Sequence, residues 1–230
     1  MLEHISGILK IDFQSIKVNK KNQMNFIKEA CVESFEGAVA AEKNGADRIE
    51  ICSNLELDGL TPSREIVRKL IKTLNIPIKV MIRPKAGDFC YDSKEINKMF
   101  DDIAYFRSLD VYGVVLGVLN NDNNTVDINL TNKLVNAAGK LDVTFHKAID
   151  SCDNILEELK MIIKNTKVSS ILTSGGFSDA FAGHKIIKEM IKIAGKNISI
   201  IVAGSVTSNN ILSIHKLIEG NQYHGKRIVN

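Results

Sequence analysis

Ionisable residues interrupt several short apolar runs of this sequence, each near the C-terminal end of its run. Glu29 and Cys31 share one face of the extended stretch 26–31, because strand side chains alternate. Arg48, Glu50 and Cys52 share one face of 48–52, Arg83 closes Val80-Met81-Ile82, and His146 follows Val143-Thr144-Phe145, with Asp150 shortly after. Carboxylates and an imidazole move protons, a guanidinium holds an anion, and thiols bind soft metal ions. A single buried arginine or histidine commonly serves structure by pairing with a neighbour. Glu29, Glu50, Arg83, His146 and Asp150 together read as a functional cluster, since burying so much charge is costly unless it is paired.

Cys31 and Cys52 end consecutive runs. If these are neighbouring parallel strands, about 4.8 Å apart, the two thiols can share one ion. Thiolates favour Cu(I), whereas a structural zinc site calls for two further nitrogen or sulfur ligands, and the sequence has no CxxC pair. His146 or His224 could complete a site. The plain alternative is that both cysteines pack as small hydrophobes.

Glycine-rich turns form a third feature. Thr173-Ser174-Gly175-Gly176, Ala203-Gly204-Ser205 and His224-Gly225-Lys226 follow or end apolar runs. Backbone N–H groups in such turns can hold a phosphate or carboxylate, which makes Ser174, Gly175, Gly176, Gly204 and Ser205, with Arg83, candidate anion ligands. Glycine after a strand also serves simply as a tight turn.

What must position these residues is a succession of βα units. Strands are expected at 26–31, 48–52, 78–83, 113–116, 142–146, 169–173, 199–203 and 223–229. Between them run helical stripes such as Ile66, Leu70, Ile71, Leu74, and Ile96, Met99, Phe100, Ile103, Phe106. Ser63 and Ser93 are expected helix N-caps, and Asn44-Gly45 and Ala138-Gly139 expected stops. Eight strands with right-handed crossovers predict an α/β fold, a TIM-barrel-like (β/α)8 barrel over 24–230 whose eighth helix is missing. Residues 1–23 read as an N-terminal extension able to cover that gap or the barrel floor. The uncovered flank also suits a second copy of the chain, a homo-oligomer.

Composition narrows the function classes. The 230 residues are 44% hydrophobic and 25% charged, a globular mix, and the net charge of +3 is dispersed, with Lys20-Lys21 in its densest basic stretch. Without a basic stripe, and with no tryptophan and few aromatics, nucleic acid is not an expected partner. Neither a secretory leader nor a membrane-length apolar run is evident. The cysteines Cys31, Cys52, Cys90 and Cys152 are dispersed rather than framework-spaced, so a reducing, cytoplasmic setting is expected.

Several segments, in order, carry a resemblance: Cys31-Val32-Glu33-Ser34, Asn44-Gly45-Ala46-Asp47-Arg48-Ile49-Glu50-Ile51-Cys52 and Asp58-Gly59-Leu60-Thr61-Pro62-Ser63. Further on come Ile82-Arg83-Pro84-Lys85-Ala86-Gly87-Asp88-Phe89-Cys90-Tyr91, Thr144-Phe145-His146-Lys147-Ala148-Ile149-Asp150 and Leu172-Thr173-Ser174-Gly175-Gly176. In these the chain resembles the CutC family, over about residues 24–229. The resemblance implies a TIM-barrel-like fold, the cytoplasm and copper homeostasis, with Cys31 and Cys52 at positions proposed as Cu(I) ligands in animal members. It implies no particular reaction. Lys85 and Ala86 depart from the family's usual arginine and glycine, and Lys85 lacks the bidentate fork for a planar anion.

Two functions follow. In one, Cys31 and Cys52 bind Cu(I) without catalysis. In the other, an enzyme acts on a small anionic (phosphate or carboxylate) or carbonyl substrate, oriented by Arg83 and the Gly175 and Gly204 turns, while Glu29, Glu50 or His146 moves a proton. A blander third reading has the polar cluster merely stapling the barrel.

Overall fold

Eight parallel strands close on themselves in sequence order in the computed structural model, which describes residues 26–121 and 124–229. They are β1 (Ile27–Val32), β2 (Arg48–Ile51), β3 (Ile78–Met81), β4 (Gly113–Leu116), β5 (Asp142–Phe145), β6 (Ser170–Thr173), β7 (Ser199–Val202) and β8 (Gln222–Gly225). The helices between them are α1 (Phe35–Lys43), α2 (Arg64–Thr73), α3 (Ser93–Ser108), α4 (Ile128–Ala138), α5 (Ile155–Asn165), α6 (Ala180–Ala194) and α7 (Ile211–Ile218). This is the expected (β/α)8 barrel, and no eighth helix follows β8 among the described residues. The extension at 1–23 lies outside them. No described helix is long and apolar enough to cross a membrane.

Side-chain caps explain where the helices start. Ser34 and Ser63 accept hydrogen bonds from the backbones of Gly37 and Ile66, satisfying donors that a helix start leaves open. The expected cap at Ser93 is corrected to Asp92, which accepts from Lys94 and Glu95 while Glu95 reaches back to its N–H. A carboxylate there also complements the positive end of the helix dipole. Asn44 and Gly139 end α1 and α4 as expected, with Gly139 at φ 67.

Strand ends are also corrected. β8 stops at Gly225, whose register partner Ala30 is the last β1 residue to face it, and beyond it Arg227 keeps a single parallel bridge to Thr207. β3 and β5 stop before Arg83 and His146, which therefore sit on loops at the strand ends.

Apolar packing divides into two unequal parts. The large core lies between barrel and helices, where Ile49, Ile51, Val80, Val114, Phe145 and Ile171 meet helix residues such as Val67, Leu70, Met99 and Ile162. Inside the barrel only small clusters remain, Cys31, Cys52, Met81 and Val115 on one side and Leu172, Ile201 and Ala203 on the other. Polar side chains fill the rest. Arg48 pairs with Glu29, its register partner, and donates to Gln222 Oε1 at 2.6 Å. Lys79 Nζ lies 2.6 Å from both Asp142 Oδ1 and Thr144 Oγ1 and 3.3 Å from Ser170 Oγ. Burial of these charges is tolerable because each finds an opposite charge and further hydrogen bonds.

Candidate functional site

At the C-terminal ends of the strands the barrel opens into a cavity of about 630 Å³. That is the size range of small-molecule sites, at the end where barrel folds place them. Of the residues expected to act, Cys31, Glu50, Arg83, His146, Asp150, Gly204 and Ser205 line it. Glu29, Cys52, Ser174, Gly175 and Gly176 do not.

One wall comes from β1, β2 and β8. Cys31 and Glu50 are register partners, and Cys31 Sγ donates to Glu50 Oε1 at 3.6 Å. Cys52, just past the end of β2, brings its sulfur within 3.9 Å of that of Cys31. His224 Nδ1 lies 2.8 Å from Glu29 Oε1 and 4.0 Å from Glu50 Oε2. Cys31, Glu50 and His224 each offer a ligand atom within 4.8 Å of the others. It is His224, not His146, that joins the cysteines.

The two carboxyls of this wall are driven apart. Burial opposes ionisation of Glu29, but the hydrogen bond with His224 and the Arg48 charge overcome it and hold the group at about 2. For Glu50 burial outweighs the His224 charge and the Cys31 hydrogen bond and raises it above its ordinary value, and its Oε2 is buried without a hydrogen bond. Burial alone would lower His224, but Glu50 and Glu29 outweigh it and raise the imidazole. Cys31 is pushed well up, first by its contact with Cys52, then by burial and Glu50. Glu29 therefore sits beneath the cavity as a charged support that holds the His224 ring.

The opposite wall carries Arg83 and His146. Arg83 donates to three backbone carbonyls, those of Leu57 (2.8 Å), Gly59 (3.2 Å) and Gly87 (2.9 Å). Phe89 lies over both groups, its ring centre 5.0 Å from the guanidinium carbon and 4.9 Å from the imidazole centre. His146 Nδ1 accepts from the Ala148 N–H at 3.1 Å. Burial, then the neighbouring Arg83 charge, lowers this imidazole to about 3.

The turn after β6 is already occupied. Asp150 accepts from the Ser174 N–H and hydroxyl, both at 2.9 Å, from the Gly176 N–H at 3.0 Å and from the Thr173 hydroxyl. Gly175 N–H turns to Thr173 Oγ1 instead. The donors of Ser174 and Gly176 expected to hold an external anion thus bind the protein's own Asp150 carboxylate, that of Gly175 is taken by Thr173, and Asp150 also pairs with Lys147. Gly204 (φ 99) and Ser205 (φ 56) remain at the cavity wall. Arg227, which had no expected role, and Lys226, expected only as part of a glycine turn, line it beside them. Their signal was a pair of cations directly after a strand.

A family model described as the CutC family matches residues 26–229, the whole described barrel. The chain belongs to the CutC family. Among its CutC relatives, the protein of Histophilus somni is 36% identical over 85% of this chain and 80% of its own. That of Salmonella schwarzengrund is 43% identical over 80% of this chain and 73% of its own. A crystal structure described as a candidate copper homeostasis protein CutC from Streptococcus agalactiae superposes with a TM-score of 0.83 at 29% identity, covering 89% of this chain and all of that one. A sialic acid aldolase of Ruminococcus gnavus shares the fold alone, with a TM-score of 0.64 at 11% identity over 89% of this chain and 69% of its own. Lys85 pairs with Asp88 at 3.1 Å and Glu95 at 3.6 Å and does not line the cavity.

Proposed function

We propose that this CutC protein handles copper, binding Cu(I) between Cys31 and Cys52 in a reducing, cytoplasmic setting. The observation that carries the reading is the 3.9 Å separation of two buried sulfurs, one of which opens on the cavity. Two metal–thiolate bonds of about 2.3 Å, the zinc value taken as a guide, span that distance with a bent angle at the metal. Soft sulfur donors favour Cu(I), and Glu50 and His224 stand close enough to take up displaced protons or add a third ligand. All four cysteines are unpaired, which supports a compartment where thiols persist. The test is a competition titration of the protein against a Cu(I) chelator. Tight binding of one ion per chain is expected, lost in the Cys31→Ser, Cys52→Ser double variant; tight binding retained in that variant refutes the assignment.

A second reading is favoured by the cavity, which is far larger than a bare ion needs. In it an enzyme acts on a small anionic or carbonyl substrate, with Glu50 or His224 moving a proton at one wall and a cationic opposite wall holding the substrate. Loss of Cu(I) binding without loss of small-molecule binding would separate the two.

A further inference from the structure

We propose that His146 and Arg83 act as a pair that seats the carboxylate of a small organic acid at the Phe89 side of the cavity. The proposal rests on the second reading above, and it names the end of the substrate and the residues that hold it.

His146 is a fixed donor. Its Nδ1 accepts from Ala148 N–H, so the ring proton resides on Nε2. The ring packs tightly on Gly117, where a Cβ would come within 2.4 Å of Nδ1, and the residue lines the cavity. Only 4% of the residue is exposed, and Nε2 has no hydrogen-bond partner. A buried N–H left open costs about 1–3 kcal/mol, which a ligand oxygen would recover.

Arg83 is a cation with no counter-ion. At 3% exposure its recorded partners are the neutral carbonyls of Leu57, Gly59 and Gly87, its Nε has none, and no carboxylate among the described residues lies within ion-pair distance. Asp150, which also lines the cavity, is consumed by the Ser174 turn, and Asp58 makes no ion pair with Arg83. A neutral donor beside an unmatched cation provides two donors and one positive charge, the requirement of a single carboxylate. Phe89 packs against both groups, which are almost fully buried, and in such a setting fixed donors act on an oxyanion most strongly. A neutral imidazole donating in this way is an established means of polarising a substrate oxygen.

The test uses metal-free protein with ¹⁵N-labelled histidine, titrated separately with pyruvate, glycolate and inorganic phosphate. A saturable shift of the His146 Nε2 resonance with pyruvate or glycolate is expected. His146→Phe, which removes the donor, and Arg83→Lys, which removes the fork, should each weaken binding about tenfold or more, while His146→Gln recovers part of it. Should a variant fail to fold, the wild-type resonance still decides. Saturable binding that leaves Nε2 unmoved overturns the pair but spares the second reading; absence of binding by all three ligands overturns both. Binding of phosphate alone overturns the carboxylate assignment.

Discussion

The thiol of Cys31 donates to Glu50 Oε1 at 3.6 Å, and contact with the Cys52 sulfur, burial and Glu50 hold it as a thiol rather than a thiolate at neutral pH. Cu(I) must therefore displace at least one proton. The apparent association constant is expected to rise about tenfold per pH unit for each proton displaced, measured by chelator competition between about pH 6 and pH 8. A flat profile would contradict thiol ligation.

Arg48→Met should be among the most damaging single changes. It strips the guanidinium from the buried Glu29 carboxylate and leaves it to His224, at a cost of about 3–5 kcal/mol in denaturant unfolding. Adding Glu29→Met should restore part of the loss, because the stranded charge goes with it. Since Glu29 is held at about 2 in the folded chain, against an ordinary value of 4.5, its contribution is complete above the ordinary value and disappears as pH falls toward about 2.

His146 should make the protein acid-sensitive at a higher pH. Lowered to about 3 from 6.5, it stays neutral in the folded chain while the unfolded chain takes up a proton. Unfolded molecules bind more protons in that window, so stability falls as pH drops below the ordinary histidine value. Compared with His146→Gln, wild type should lose about 2 kcal/mol more between about pH 6.5 and pH 5, read from paired denaturant curves.

Asp150→Ala should release the turn after β6. The Ser174 and Gly176 amides and two hydroxyls lose their acceptor, so a destabilisation of about 3 kcal/mol is expected, with faster hydrogen exchange at those amides. Cu(I) affinity should not change, since the cysteines lie on the other wall.

The barrel was legible because its strands are β-branched runs and their helices carry apolar stripes, patterns that depend only on near neighbours. Cys31, Glu50, Arg83 and His146 were legible for the opposite reason, being polar where the pattern wants apolar side chains. Lys79 breaks the run Ile78–Met81 just as plainly, yet a search confined to strand C-termini passes over it. Glu29 belongs with it beneath the cavity, because its depth is set by register with Arg48 rather than by its place in its own strand. The grip of Asp150 on Ser174 spans 24 residues of chain, and no local pattern announces it. Likewise the pairing of His224 with Glu29 needs the barrel to close, since β8 meets β1 only then.

Closure by charged neighbours has a consequence for how the strands find their alignment. Glu29 faces Arg48 in register, and Glu50 faces Cys31, all turned inward. Sliding β1 or β2 by one residue would swing its acidic side chains outward against the oily helix faces that carry Val67 and Leu70. An aliphatic lumen would tolerate such a slip more readily, so the interior charges of this barrel also act as a key that fits one alignment of its first two staves.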